Sequence, residues 1–209
     1  MQPRGKPYFW VTWLTEILSG HDLCEWKVWM KGHYRDVPML PRDFDMAQWN
    51  EEHTAYLGEL RKEYGEQAER VLVEGQTEWK IEGKTAIVAG KMDLITFTPN
   101  LVVDAKTGKQ KDAHVPQMKL YLFAIERGAV AGIPPKTPFS AVLRYRTGES
   151  VDVPGVDANF KQRFFELMQR LGSNVEPKQV PSAGECRFCD LAECPARVGV
   201  HPAARVDEF

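Results

Sequence analysis

The sequence predicts an α/β fold, a central β-sheet flanked by helices, and three patterns carry the prediction. Leu94-Ile95-Thr96-Phe97 and Leu101-Val102-Val103 are apolar runs separated by the turn signal Thr98-Pro99-Asn100, so they read as a β-hairpin. Trp49, His53, Leu57, Leu60, Tyr64, Ala68 and Val71 recur at steps of three and four, giving one inward-facing helical stripe. Beyond residue 108, a helix opening at Pro116 precedes a second hairpin and a last amphipathic helix.

The chain has 209 residues, of which 43% are hydrophobic, enough for one domain with a true core and too many for disorder. A formal net charge of −2 excludes global attraction to nucleic acid. Any such grip must come from local clusters, Lys106 with Lys109 and Lys111, or Arg144 with Arg146, which equally suit a solvated face. No signal-peptide pattern opens the chain and no apolar run approaches a membrane span. A soluble, cytoplasmic protein without membrane contact is therefore expected, with its four cysteines as thiols.

Taken in order, Trp10, Trp13, Leu14, Ile17 and Leu18 form a helix-like stripe stopped by Ser19-Gly20. Cys24, Trp26 and Trp29 follow, and aromatics at this density read as packing rather than as a stacking platform. Residues 35–43, with Pro38 and Pro41, read as a connection, and the long helix runs from about Asp45 to Val71. Residues 71–81 and 85–97 read as two strands joined around Gly83. The triplet Gly83-Lys84-Thr85 is not a phosphate loop, because position 78 is Glu where that motif requires Gly. After a basic loop, Lys109 to Asp112, a helix runs from Pro116 to its stop at Gly128. Residues 129–138 form a Gly/Pro loop. Phe139 to Arg146 and Ser150 to Val153 pair about Gly148, and the last helix spans about 157–171.

Two carboxylates interrupt the apolar pattern of the first hairpin. Asp93 precedes one strand, and Asp104 ends the other in the string Asp104-Ala105-Lys106-Thr107-Gly108. Strand side chains alternate, so Asp104 and Lys106 share a face while Ala105 points to the other. Charges at such positions are costly unless they bind a metal or each other, which suggests a divalent-metal site. His53 lies on the inward stripe, either as a core histidine or as a further ligand, and Glu51 and Glu52 point away from that stripe. Gln117 and Tyr121, four apart, share one helix face.

The tail carries Cys186, Cys189 and Cys194, three close thiols that need a fourth ligand. Cys24 is the remaining cysteine, and His201 is the alternative, in a Cys3His zinc site.

Gly90-x-x-Asp93, then Asp104-x-Lys106-Thr107-Gly108, then Gln117-x-x-x-Tyr121 resembles the PD-(D/E)XK nuclease superfamily in its RecB-like branch. The remote Cys24 with clustered Cys186, Cys189 and Cys194 resembles the iron–sulfur staple of the AddB nuclease domain and the CRISPR-associated exonucleases, though their last spacing is often slightly longer. The resemblance implies a restriction-endonuclease-like core, a central mixed sheet flanked by helices, over about 45–172. An iron–sulfur subdomain would come from about 8–34 and 173–209, the whole of 1–209 being one nuclease domain. It implies Mn²⁺ or Mg²⁺ held by His53, Asp93, Asp104 and the Ala105 carbonyl, and a [4Fe–4S] cluster on the four cysteines. Asp93, Asp104 and Lys106 would be catalytic, Gln117 would hold the lysine or the DNA, and Tyr121 would line the same cleft. The implied activity is exonucleolytic, on single-stranded DNA ends.

Two other classes fit the same residues. One is an inactive DNA-binding or assembly module stabilised by an iron–sulfur or zinc site. The other is a zinc-stabilised interaction protein in which Asp93 and Asp104 only pair with lysines. The complete Asp/Asp/Lys set favours the enzyme.

Overall fold

Two apolar strands, Ile87–Lys91 and Leu94–Phe97, are separated only by Met92 and Asp93, yet they join different sheets. This architecture comes from a computed structural model, which describes residues 1–41 and 44–199. Its strands are β1 (Gln2–Pro3), β2 (Tyr8–Trp10), β3 (Tyr34–Arg35), β4 (Arg70–Val73), β5 (Glu78–Glu82), β6 (Ile87–Lys91), β7 (Leu94–Phe97), β8 (Leu101–Lys106), β9 (Ser140–Tyr145) and β10 (Ser150–Val153). Its helices are α1 (Val11–Ser19), α2 (Trp26–His33), α3 (Met46–Gly65), α4 (His114–Glu126), α5 (Ala158–Leu171) and α6 (Ala183–Phe188).

The larger sheet has five strands in the order β10-β9-β8-β7-β4, and a second has three in the order β2-β6-β5. Both are mixed. In the larger, β8 and β9 run parallel while the other pairs are antiparallel. In the smaller, β2 and β6 run parallel. Parallel neighbours need a crossover, and α4 supplies it between β8 and β9. The predicted hairpin is present, with Leu94 opposite Val103 and Thr96 opposite Leu101.

The larger sheet buries both faces. Leu94, Val103, Ala105 and Val142 pack with Tyr56 and Leu60 of α3, while Ile95, Val102, Ala141 and Leu143 join the main core with α4. Each fully buried aliphatic contributes about 1.5–3 kcal/mol. Asp104 and Lys106 share the α4 face with Val102, as the alternation requires.

Several boundaries differ from expectation. The long helix ends at Gly65, so Ala68 lies beyond it and Val71 lies in β4 opposite Thr96. Arg70–Val73 happens to fall in phase with the helical stripe, but its aliphatic run pairs better with β7 than it would extend a helix. Trp49 is exposed rather than inward-facing, since only Tyr56 and Leu60 of this twenty-residue helix are buried. The two strands expected at 71–81 and 85–97 are four. The first divides at Gly75, whose φ of +87° belongs to the left-handed region that glycine tolerates. The second divides where the chain changes sheets. Trp10 is in β2, not in the first helix, which does end at Gly20. Trp26 and Trp29 are buried, stacked at 5.6 Å, and serve packing.

Pro38 and Leu40 dock the C-terminal segment. Leu40 N–H donates to Asp190 O at 2.7 Å and Ala192 N–H to Pro38 O at 2.9 Å. Among the described residues, no helix is long and apolar enough to cross a membrane.

Candidate metal centre

Asp93 sits at the junction between the sheets, one residue before β7, where antiparallel pairing brings it beside the end of β8. The Ala105 N–H donates to Asp93 Oδ2 at 2.7 Å, so the backbone of one strand fixes the carboxylate of the other. Gly90, three residues earlier, lets the Trp79 ring and the Val11 side chain close on β6: a Cβ there would lie 2.8 Å from both. Thr77 Oγ1–H also donates to the Met92 carbonyl, tying down the residue before Asp93.

Asp104 is 1% and Asp93 8% exposed, so two carboxylates are almost wholly withdrawn from water. Lys106 Nζ lies 2.6 Å from Asp104 Oδ2. Among the described residues that oxygen has no hydrogen-bonding partner beyond this close ion pair. Burial pushes the Asp104 carboxyl up to about 6; Lys106 pulls it down and the charge of Asp93 adds to the rise. Two buried carboxylates side by side, with one ammonium beside them, fit a bound cation.

Gln117 holds the lysine. Lys106 Nζ donates to Gln117 Oε1 at 2.9 Å, and Gln117 Nε2 donates to Tyr121 Oη at 2.7 Å, with Asp104 Oδ1 at 3.4 Å. Tyr121 Oη–H donates in turn to the Lys91 carbonyl at 2.8 Å. Tyr121 is 2% exposed, so it stands behind Gln117 rather than lining the cleft as the resemblance implied. Burial, with the Asp104 and Asp93 charges, raises its phenol pKa and keeps it a neutral donor.

His53 reaches the same place from α3. Its Nε2 lies 3.6 Å from Asp93 Oδ1, longer than an ordinary hydrogen bond, and this contact raises the imidazole pKa against the opposing effect of burial. His53, Asp93 and Glu74 each offer one ligand atom, all within 4.8 Å of one another. Glu74 is absent from the sequence-derived set. It follows β4 in the Glu74-Gly75 turn, and its carboxylate lies 3.0 Å from Lys91 Nζ. An acid beside a turn glycine gave no periodic signal, and only the pairing of β4 with β7 brings it near Asp93. Ala105 contributes its N–H to Asp93 and its side chain to the α3 core. Glu51 and Glu52 are exposed.

The basic clusters divide. Arg144 is engaged by Glu63 in two hydrogen bonds of 2.7 and 3.1 Å and by Tyr64 Oη at 2.9 Å, so its guanidinium is a fastening between β9 and α3. Arg146 donates to the Glu52 carbonyl at 3.2 Å, and Lys109 and Lys111 are exposed.

The four cysteines are free thiols, and all of them line one small cavity with Trp26 and Pro181. Among the described residues, no three of their sulfurs lie within 4.8 Å of one another. The two chain ends meet here: Leu23 N–H donates to Glu185 Oε1 at 2.8 Å. Arg197 donates to the Cys186 carbonyl at 2.9 Å and the Cys189 carbonyl at 3.2 Å, and also to the Leu191 carbonyl. His201, the alternative fourth ligand, lies outside the described residues.

A family model described as PD-(D/E)XK nuclease superfamily matches residues 16–194. The crystal structure of SSO0001 is similar in fold, with a TM-score of 0.51 at 14% identity over 94% of this chain and 90% of that chain. No curated protein matches the chain.

Proposed function

The chain belongs to the PD-(D/E)XK nuclease superfamily, and from that premise we propose that it is a metal-dependent deoxyribonuclease of the RecB-like branch. In this reading it is an exonuclease on single-stranded DNA ends and carries a structural [4Fe–4S] cluster. The observation that carries the nuclease reading is the pair of buried carboxylates, Asp93 and Asp104, with the Lys106 ammonium 2.6 Å from Asp104.

His53, Asp93 and Glu74, whose ligand atoms lie together, would hold the divalent ion, with Asp104 as a further ligand. When bound, the cation polarises the phosphoryl oxygen and eases deprotonation of the attacking water. The chain does the rest through position. The Ala105 N–H fixes the Asp93 carboxylate, and Gln117 points the Lys106 ammonium toward the place where the phosphate acquires charge. Lys106 would offset that charge as the transition state develops, or orient the water. Tyr121 holds Gln117 from behind. An imidazole among carboxylates accepts Mn²⁺ readily, so Mn²⁺ should support turnover at least as well as Mg²⁺.

Support for the cluster is the donor set: four thiols from opposite ends of the chain line one cavity. Tetrahedral zinc, with Zn–S near 2.3 Å, would hold its sulfurs about 3.8 Å apart. The thiols are not gathered that closely, and the preference for iron–sulfur over zinc rests on the resemblance carried by the Cys24, Cys186, Cys189 and Cys194 pattern. Cys24, Cys186, Cys189 and Cys194 would then bind the N- and C-terminal segments together.

The deciding experiment offers the purified protein labelled linear, end-blocked and circular single strands with Mn²⁺, Mg²⁺ or chelator. Metal-dependent loss of the linear strand, with circles intact, is the expected result. Cutting of circles would replace the exonuclease by an endonuclease, and inertness toward all substrates would leave the inactive binding module. Brown colour and iron with acid-labile sulfide would identify the cluster, and stoichiometric zinc would overturn it.

A further inference from the structure

Beside the candidate metal centre, the start of α3 presents an aromatic surface that the fold does not use. The Trp49 indole lies over the His53 imidazole, centroids 5.0 Å apart and planes 12° from parallel, as four-residue spacing on a helix allows. Phe44 leans on Trp49 at 6.5 Å. All three apolar residues of this surface are open to solvent: Phe44 is 53%, Met46 49% and Trp49 37% exposed. The tryptophans of the core are spent differently, Trp29 and Trp79 being 3% exposed.

We propose that Phe44, Met46 and Trp49 form a stacking platform for the bases of a single nucleic-acid strand whose phosphate occupies the metal centre. This inference rests on the nuclease reading and adds to it how the strand is gripped. An indole already parallel to a ring on its inner side is oriented to accept a base on its outer side, and every base has a face to offer. Charge is complementary at one point. Arg146 is exposed, donates to the neutral Glu52 carbonyl rather than into an ion pair like that of Arg144, and follows the Lys106 strand end through Arg146 N–H to Lys106 O at 2.9 Å. From beside Glu52 of α3 it can meet a phosphate of the bound strand. Elsewhere the start of α3 bears Glu51 and Glu52, which repel a phosphate backbone, so stacking rather than general charge must hold the strand. A duplex, with its bases already stacked inside, cannot use such a surface.

The test compares two strands of equal length and charge, one with bases and one abasic. Binding is read by fluorescence anisotropy with Ca²⁺ present to hold off cleavage, and Mn²⁺ affinity is titrated separately in the absence of DNA. Wild type should prefer the base-bearing strand. Trp49→Ala should weaken that strand roughly tenfold while changing the abasic strand less than twofold. Trp49→Phe should retain most of the preference, and Phe44→Ala should lose a smaller part of it. Mn²⁺ affinity should stay within twofold in all of them. Equal weakening on both strands would make Trp49 a cover for His53 only. An unchanged preference, or none in wild type, would also overturn the platform. So would a change in oligomeric state on Trp49→Ala without strand discrimination, because the occupant would then be protein. Failure of the nuclease reading is seen apart from these, as absence of metal-dependent cleavage by a wild type that still discriminates the two strands.

Discussion

The metal centre and the cysteine cavity each gather ligand-capable side chains from distant parts of the chain, yet they are held in different ways. At the metal centre the scaffold sets the geometry. Asp93 is fixed by the Ala105 N–H, Lys106 by Gln117, Gln117 by Tyr121, and Tyr121 by the Lys91 carbonyl. Each of these residues lies in or next to a sheet strand or on α4, and Asp93, Ala105, Gln117 and Tyr121 are buried. Around the cysteines, the scaffold includes the six-residue α6, the pairing of Met39 with Leu191, the Leu23–Glu185 hydrogen bond and those of Arg197. In the proposed reading the acidic site is pre-organised for a cation, whereas the cysteine segments would gain order from a cluster. Removing a ligand should therefore cost chemistry at one place and stability at the other.

The largest effect should fall on cleavage. Lys106→Ala and Asp93→Ala are each expected to reduce the rate on the order of 10³-fold or more, with the thermal midpoint lowered by only a few degrees. Calorimetry alongside the cleavage assay checks both halves. Full activity in either variant would remove the site assignment, and unfolding would show that the scaffold is less independent than argued. The converse holds for Cys24→Ser. It should lower stability by about 2–5 kcal/mol, as loss of a long-range cross-link does, and expose the segment after residue 173 to protease. If the cysteine variant melted like wild type, the contrast between the regions would fail.

This contrast also explains what the sequence made legible. The β7–β8 hairpin, α4, the β9–β10 hairpin and α5 were readable because their turn and stop signals, Thr98-Pro99-Asn100, Gly128, Gly148 and Gly172, bracket clean apolar periods. Asp93, Asp104 and Lys106 stood out because they break such a period. Glu74 did not, since an acid at a strand end is ordinary until β4 is paired with β7. The exposure of Trp49 was hidden for a related reason: helical phase names a face, and the sheet covers only its later part, Leu57, Leu60 and Tyr64, together with Tyr56 outside the stripe. The switch of sheets at Asp93 was equally hidden, because β6 and β7 read locally as one run.

Smaller perturbations sharpen the comparison. Gln117→Ala leaves every proposed ligand in place but frees the ammonium, and should reduce cleavage about 10- to 100-fold without altering Mn²⁺ affinity in proportion. A fall in both together would make Gln117 part of the cation's own cage. Arg144→Met tests the opposite expectation. With its charge engaged by Glu63 and its edge by Tyr64, Arg144 should contribute up to about 1 kcal/mol of stability and nothing measurable to strand binding. Denaturant unfolding and anisotropy on the same preparation separate the two, and a weakened grip on DNA would return Arg144 to the basic surface.

The smallest effect concerns pH. His114, at the start of α4, has its Nδ1 2.8 Å from Tyr145 Oη. Burial, together with the nearby Lys106 and Lys111 charges, lowers its pKa to about 4 from an ordinary 6.5. Above 6.5 both folded and unfolded chains carry it neutral, so it contributes no pH dependence there. Between 6.5 and 4 the unfolded chain takes up a proton that the folded chain refuses, and stability falls as the pH falls; below 4 both are protonated and the loss is complete. Because the imidazole is only about half buried, the amplitude is held to about 1 kcal/mol or less by solvent screening. His114→Gln should flatten this one component, so that the stability of wild type declines relative to the variant through that window and the two run parallel above it. Parallel curves throughout would mean that the imidazole stays hydrated beside Tyr145 and that neither Lys106 nor Lys111 presses on it.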